Sequence, residues 1–415
     1  MIWPKKDPHS VFTPRAASVN KEMYVDRSDL EARLGELVRG SKHIIIHGES
    51  GNGKTWLYKK VFAEERTPYA TVNLANASRF GSIEKAISEK IKKTKGNEKA
   101  LSQIVVQTEA RVTPAGVGAS INNQKIYEVV EQDSLLALMM LVRAKGGRRP
   151  GLIVFDNFET VLESDALISE LANMLVLLDD DDYAEYGVKI CIVGVPAEIR
   201  DYITKLSSVQ TLSNRMVELP EVARLTGDEA DLLVKKGLME LLGLEIDTIS
   251  EAFTRIQWST DRIAQYLHEL GLEVALIAQK NNEVVNSDVI ERAEGRWFET
   301  SISAVRQIVD TNLNARETKA GRRNQVIYAL GCIKTEDFKY SDVEAVVRQE
   351  FPDSTEGVEL NIIQRLGELE KGTHPIVKRV PKGDAYRVIN PKVKIAIRVM
   401  LRKVNGRVEK VPFIS

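Results

Sequence analysis

Only two cysteines, Cys191 and Cys332, occur in 415 residues, far apart and each inside an apolar segment. That scarcity excludes a disulfide scaffold and points to reduced, buried thiols in a cytoplasmic setting. No CxxC pair is present, so metal ligation by cysteine and histidine has no support. No apolar run approaches the roughly 18 residues needed to cross a bilayer, and no membrane partner is expected. The opening MIWPKKDPHSVFTPRAAS has Lys5 and Lys6 but no apolar stretch behind them, unlike a secretory signal.

Neither charge sign dominates, since 58 Lys and Arg face 59 Asp and Glu, yet the balance hides an asymmetry. Residues 371–410 hold twelve Lys and Arg against Asp384 and Glu409, a local surplus of ten that hints at an anionic partner. Apart from Tyr386, aromatics are scarce there, which weakens a single-strand stacking role. A hydrophobic share of 43% over this length suits two or three globular domains of roughly 100 to 200 residues each.

What stands out against these absences is GESGNGKT, Gly48 to Thr55, which fits GxxxxGK[ST] without a mismatch. His43 to His47 before it reads as a buried strand, and Trp56 to Glu65 after it reads as a helix, the context this motif requires. Gly48, Gly51 and Gly53 let the backbone curl so that N–H groups of the loop, including those of Glu49, Ser50 and Asn52, form a nest for a polyphosphate at a helix N-terminus. Lys54 would reach β- and γ-phosphate oxygens, and the Thr55 hydroxyl would take one Mg²⁺ position. ATP or ADP with Mg²⁺ is the expected ligand.

Farther along, Tyr24 to Leu34 reads as a helix capped by Asp26 or Ser28, Tyr69 to Leu74 as a strand, and Ser82 to Lys93 as a helix with Ser82 at its cap. Helices at 133–145 and 164–178 flank the strand LIVFD, 152–156. The strand KICIVG, 189–194, the helix 196–206 and the short strand 216–219 follow. Such alternation predicts a parallel sheet covered on both faces, with nucleotide at the carboxyl ends of its strands. Amphipathic helices near 227–241, 248–256, 260–280 and 286–305 read as a helical lid. Helices near 322–331, 341–351 and 355–371, a hairpin, and a basic helix from Pro391 read as a winged helix. The expected fold is thus α/β: a P-loop NTPase parallel sheet sandwiched by helices, followed by an α-helical lid and a winged-helix domain. Its divisions are an irregular arm at 1–22, the ATPase domain at 23–222 with an insertion at about 96–132, the lid at 223–305 and the winged helix at 306–415.

LIVFDNFE supplies the second half of the site, because an Asp ending an apolar strand calls for a partner and Asp156 would hold Mg²⁺ through water. With GESGNGKT, YVDRSDL, IVGVP and SNRMVELP, this run resembles the AAA+ and STAND branch of P-loop ATPases, and above all the origin-recognition-like members. The resemblance covers about residues 22 to 405. It implies that Arg27 lies near the base, that Asp156 is the magnesium acid, and that Arg215 completes a site, its own or a neighbour's. It also places Arg262 at the second sensor. The position after Asp156 often carries the catalytic acid in this group but holds Asn157 here, so hydrolysis should be slow or fall to Glu159. No Asn, Thr or Ser occupies the first-sensor stretch from Gly194 to Pro196.

Together these imply a cytoplasmic ATP-dependent switch that self-associates in its ATP state. Duplex DNA would meet Lys378, Arg379, Lys382 and Arg387 of the wing. The alternative is a signalling or defence regulator whose winged helix binds an unidentified protein. Glu356, Glu359, Glu368 and Glu370 on the third helix of that module would repel phosphate.

Overall fold

The structure is a computed structural model that describes residues 6–93, 133–146, 149–194, 212–282, 284–314, 321–380 and 384–411. The expected insertion at 96–132, the helix 196–206, Val195, Pro196 and Lys382 lie outside the described residues. The chain divides into two compact units, one of Ala17–Val19 and Tyr24–Arg224, the other of Met1–Ala16, Asn20–Met23 and Leu225–Ser415.

The first unit is a five-stranded parallel sheet, β1 His43–His47, β2 Tyr69–Asn73, β3 Gly151–Asp156, β4 Val188–Gly194 and β5 Met216–Glu218. Spatial order is β2-β3-β4-β1-β5, so β4 is wedged between the strand leading into the phosphate loop and the strand ending in Asp156. Because side chains alternate along a strand, the apolar runs feed two cores at once. Ile44, Ile46, Leu152, Val154, Cys191 and Val193 pack with Leu34, Tyr58 and Phe62 on one face. Ile45, Ile153, Phe155, Ile190 and Ile192 pack with Leu138, Leu141 and Leu171 on the other.

Local signals explain most helix ends here. Ser82 accepts from the Lys85 N–H at 3.2 Å and caps Ile83–Lys93. The first helix, Ser28–Arg39, is capped differently from the expectation: Arg27 is the N-cap residue, and the Glu31 carboxylate reaches back to accept its N–H at 2.8 Å. Asp26 is drawn instead into an ion pair with Lys60, 2.9 Å away. Cys191 is buried and Cys332 only half-buried; both are free.

The second unit contains the helices Gly227–Val234, Ile249–Thr260, Ala264–Asn281 and Ser287–Trp297. Thr226 and Glu229 form a reciprocal capping box on the first of these. The N-terminal arm is packed into this unit: Phe12 is 1% exposed, and its ring fills notches at Gly237 and Gly271 too tight for a Cβ. Next come the helix Arg322–Cys332, the strand Asp337–Phe338, the helices Tyr340–Glu350 and Ile362–Lys371, and the strands Val377–Arg379 and Tyr386–Val388. The three strands form one antiparallel sheet. The basic helix Pro391–Met400 leads into a hairpin, Leu401–Val404 with Arg407–Lys410. Asn405 and Gly406, both at positive φ (48° and 73°), make its two-residue turn.

Candidate nucleotide site

Strand register brings the loop and the acidic strand end together. Phe155 and Ile45 are both paired with Ile192, so Asp156 stands level with Ile46, just below the turn into Gly48. With β4 between them, β1 and β3 are about 10 Å apart at this level. Gly48, Gly51 and Gly53 hold φ values of 148°, 90° and 91°, which only glycine adopts readily. A Cβ on Gly48 would also collide with the Val222 carbonyl.

The helix Lys54–Glu64 starts at once after Gly53. Lys54 Nζ donates to the carbonyls of Gly48 (2.8 Å) and Glu49 (2.9 Å), folding the ammonium back over the loop. Burial pushes its pKa below the ordinary lysine range, while Glu159, Asp156, Glu49 and Glu221 pull the other way. Four helix positions on, the Tyr58 hydroxyl donates to Asp156 Oδ2 at 3.2 Å, tying the helix to β3. Burial, and then the Asp156 charge, hold that phenol above its usual range. Thr55 shares the first turn of this helix.

Asn157 sits at φ 63°, donates its N–H to Asp156 Oδ1 at 2.9 Å, and donates its side-chain amide to Asn73 Oδ1 at 3.0 Å. The same Asn73 oxygen caps the helix Leu74–Phe80. The Asn157 amide therefore has a structural partner. Glu159 follows in a 3₁₀ turn, Phe158–Val161, and its Oε2 is buried with no hydrogen-bond partner.

One of the expected site residues lies away from the loop. Arg215 precedes Met216, which pairs with His43 at the start of β1, so it lies at the amino ends of the strands, opposite the loop. There it forms an ion pair with Asp179. Arg215 thus does not complete its own site, and the neighbour's site is the alternative that remains. Arg262 belongs to the second unit, at φ 58° just past the helix Ile249–Thr260. Arg27 does approach the loop's surroundings, donating from Nη1 to the Ala223 carbonyl at 2.8 Å. Sequence reasoning missed Tyr58, Asn73 and Arg224. Tyr58 was reachable, being one helical turn from Thr55.

A parallel sheet with β4 interposed, a glycine loop closing on the helix that carries Lys54, and an acid ending β3 form a P-loop ATPase core. Residues 38–203 match the family model of the AAA domain. Over this segment the chain is similar to an AAA domain. Solved structures similar to the whole chain include a Walker-type ATPase of Pyrococcus abyssi, at 14% identity over 94% of this chain and 99% of that one, with a TM-score of 0.50. Others are Cdc6p of Pyrobaculum aerophilum (14% identity, 94% and 96% covered, TM-score 0.44) and the ORC2 protein of Aeropyrum pernix (14%, 94% and 97%, 0.46). At this identity the likeness is one of fold. No curated protein matches the chain.

The donors near the loop suit magnesium better than a transition metal. Among the described residues no group of three or more His, Cys, Asp or Glu could hold a metal. Thr55 and Asp156 offer one hydroxyl and one carboxylate, the sparse oxygen set that Mg²⁺ uses when phosphates supply the rest. No helix among the described residues is long and apolar enough to cross a membrane.

Proposed function

We propose that this protein is an ATP-dependent molecular switch with slow hydrolysis, in which nucleotide state at the phosphate loop controls the C-terminal module and self-association. The observation that carries this reading is the pairing of a complete phosphate loop with an amide after Asp156. The loop N–H groups and Lys54 would bind and orient the triphosphate. Thr55 and Asp156 would hold Mg²⁺, which supplies charge neutralisation between the phosphates.

Asn157 cannot accept a proton and is committed to Asn73. Glu159 carries a buried carboxylate oxygen without a partner and is the acid that acts most strongly on Lys54. It is the base that would take the proton of the attacking water. General bases contribute roughly 10² to 10⁴ in rate, so Glu159→Gln should lower turnover by about 100-fold while ATP still binds. Unchanged turnover in that variant would remove Glu159 from the reaction.

The last part of the chain is read as a winged helix, supported by the order helix, strand, two helices and two strands. The pairing of its basic side chains with acids favours a protein ligand over DNA. Arg387 pairs with Glu336 (2.9 Å) and Asp337 (2.6 Å), and Arg379 with Glu370 (3.3 Å). Arg402, Lys403 and Lys410 face Glu291, Glu350 and Asp310. Of the proposed wing cations, Lys378 is exposed on Val377–Arg379. The helix Ile362–Lys371 presents Ile363, 55% exposed, among its acids. A protein partner fits that surface better than phosphate does. A labelled random duplex, titrated with ATP, ADP or no nucleotide, should show at most weak binding that disappears between 50 and 200 mM salt, as expected of non-specific contact to phosphate. Nucleotide-dependent binding that survives the higher salt would restore the DNA-handling reading.

A further inference from the structure

Glu49 is an odd occupant of an anion-binding loop. It follows Gly48, is 7% exposed, and its charge is felt at Lys54, the cation meant for phosphate. A carboxylate there opposes a polyphosphate unless something neutralises it. Arg224 does so: its Nε lies 2.7 Å from Glu49 Oε2, with both side chains largely buried.

Arg224 ends a segment strapped across the loop. After β5 the Leu219 N–H donates to the Ile45 carbonyl and the Val222 N–H to the His47 carbonyl, both at 2.9 Å. The Val222 carbonyl accepts from Asn52 Nδ2 at 3.0 Å, and the Ala223 carbonyl from Arg27 at 2.8 Å. The next residue, Leu225, already belongs to the second unit. Displacing this segment removes the Glu49 counter-ion.

We infer that Arg224 is a positioning residue whose charge keeps Glu49 from repelling nucleotide, so that the strap 219–224 sets the nucleotide affinity of the loop. The inference rests on nucleotide binding at GESGNGKT. A strap held in place gives a neutral loop flank and tight binding. A strap drawn away leaves a buried carboxylate beside the phosphates, and nucleotide is released.

The test is binding of a fluorescent ATP analogue to the full chain, read by anisotropy, in wild type, Lys54→Ala, Arg224→Met, Arg224→Lys and the double variant Glu49→Gln/Arg224→Met. Arg224→Met should weaken binding at least about tenfold, because one partner of a buried charge pair is lost. Arg224→Lys keeps the charge and the double variant removes the need for it, so both should return to within about threefold of wild type. Wild-type affinity in Arg224→Met overturns the inference. So does a folded double variant that binds at least about tenfold more weakly than wild type, which also decides the matter should Arg224→Met fail to fold. Failure of the nucleotide reading is distinct, for then wild type itself would not bind the analogue.

Discussion

Lys54→Ala will cost the protein on the order of 100-fold or more in ATP affinity, with little change in its melting temperature. The ammonium is half-buried and held over the loop by two carbonyls, and it feels the charge of four acids. Truncating one partner of a desolvated charged contact removes about 2 to 5 kcal/mol, and 2.7 kcal/mol is a factor of about 100. Isothermal calorimetry with ATP reads the loss directly. A variant that bound ATP within about threefold of wild type would show that the loop is a glycine turn and nothing more.

The second large effect belongs to stability. Asp261 takes Lys394 at 3.1 Å and Arg398 at 2.8 Å, and all three side chains are at most 6% exposed. Arg398 is further fixed by the carbonyls of Gly331 and Trp258, both at 2.6 Å, and its guanidinium lies 4.1 Å from the Trp258 ring centre. This triad joins the helix Ile249–Thr260 to the basic helix Pro391–Met400 inside the second unit. Asp261→Asn keeps the shape and tolerates the left-handed backbone at φ 51°, but leaves two buried cations without their anion. Breaking a buried ion pair in this way costs about 3 to 5 kcal/mol. The urea midpoint, followed by tryptophan fluorescence, should fall accordingly, and adding Lys394→Met should recover part of the loss. A change below about 1 kcal/mol would show the triad to be solvent-relaxed.

That triad also explains why charge counting along the chain misled. The surplus of ten between 371 and 410 is real in sequence, yet Lys394 and Arg398 are spent on an acid more than 130 positions away, and Arg387, Arg402 and Lys403 on acids 50 or more positions away. Charge asymmetry along a chain becomes a patch only when folding does not bring counter-ions to it. The phosphate loop, by contrast, was fully legible, because its chemistry is local: eight contiguous residues set backbone, cation and hydroxyl. The sheet was legible for a similar reason, since continuous apolar runs such as IIIH and LIVFD admit few other readings.

What could not be read were pairings across the sheet. Arg224 meets Glu49 over 175 positions, and no local pattern announces it. The place of Arg215 required the β1–β5 register, which puts its residue at the wrong end of the strands for its own loop. The final hairpin, by contrast, has a local signal. VNGRV holds an Asn-Gly pair between alternating apolar and charged residues, a strong short-range hairpin signal, and the chain turns there.

The central claim is that nucleotide binds at Gly48 to Thr55, and calorimetric titration of the wild-type chain with ATP and Mg²⁺ tests it most directly. The account predicts one ATP per chain, and no heat of binding from Lys54→Ala under the same conditions. Absence of binding by the wild-type chain, or equal binding by both, would contradict it.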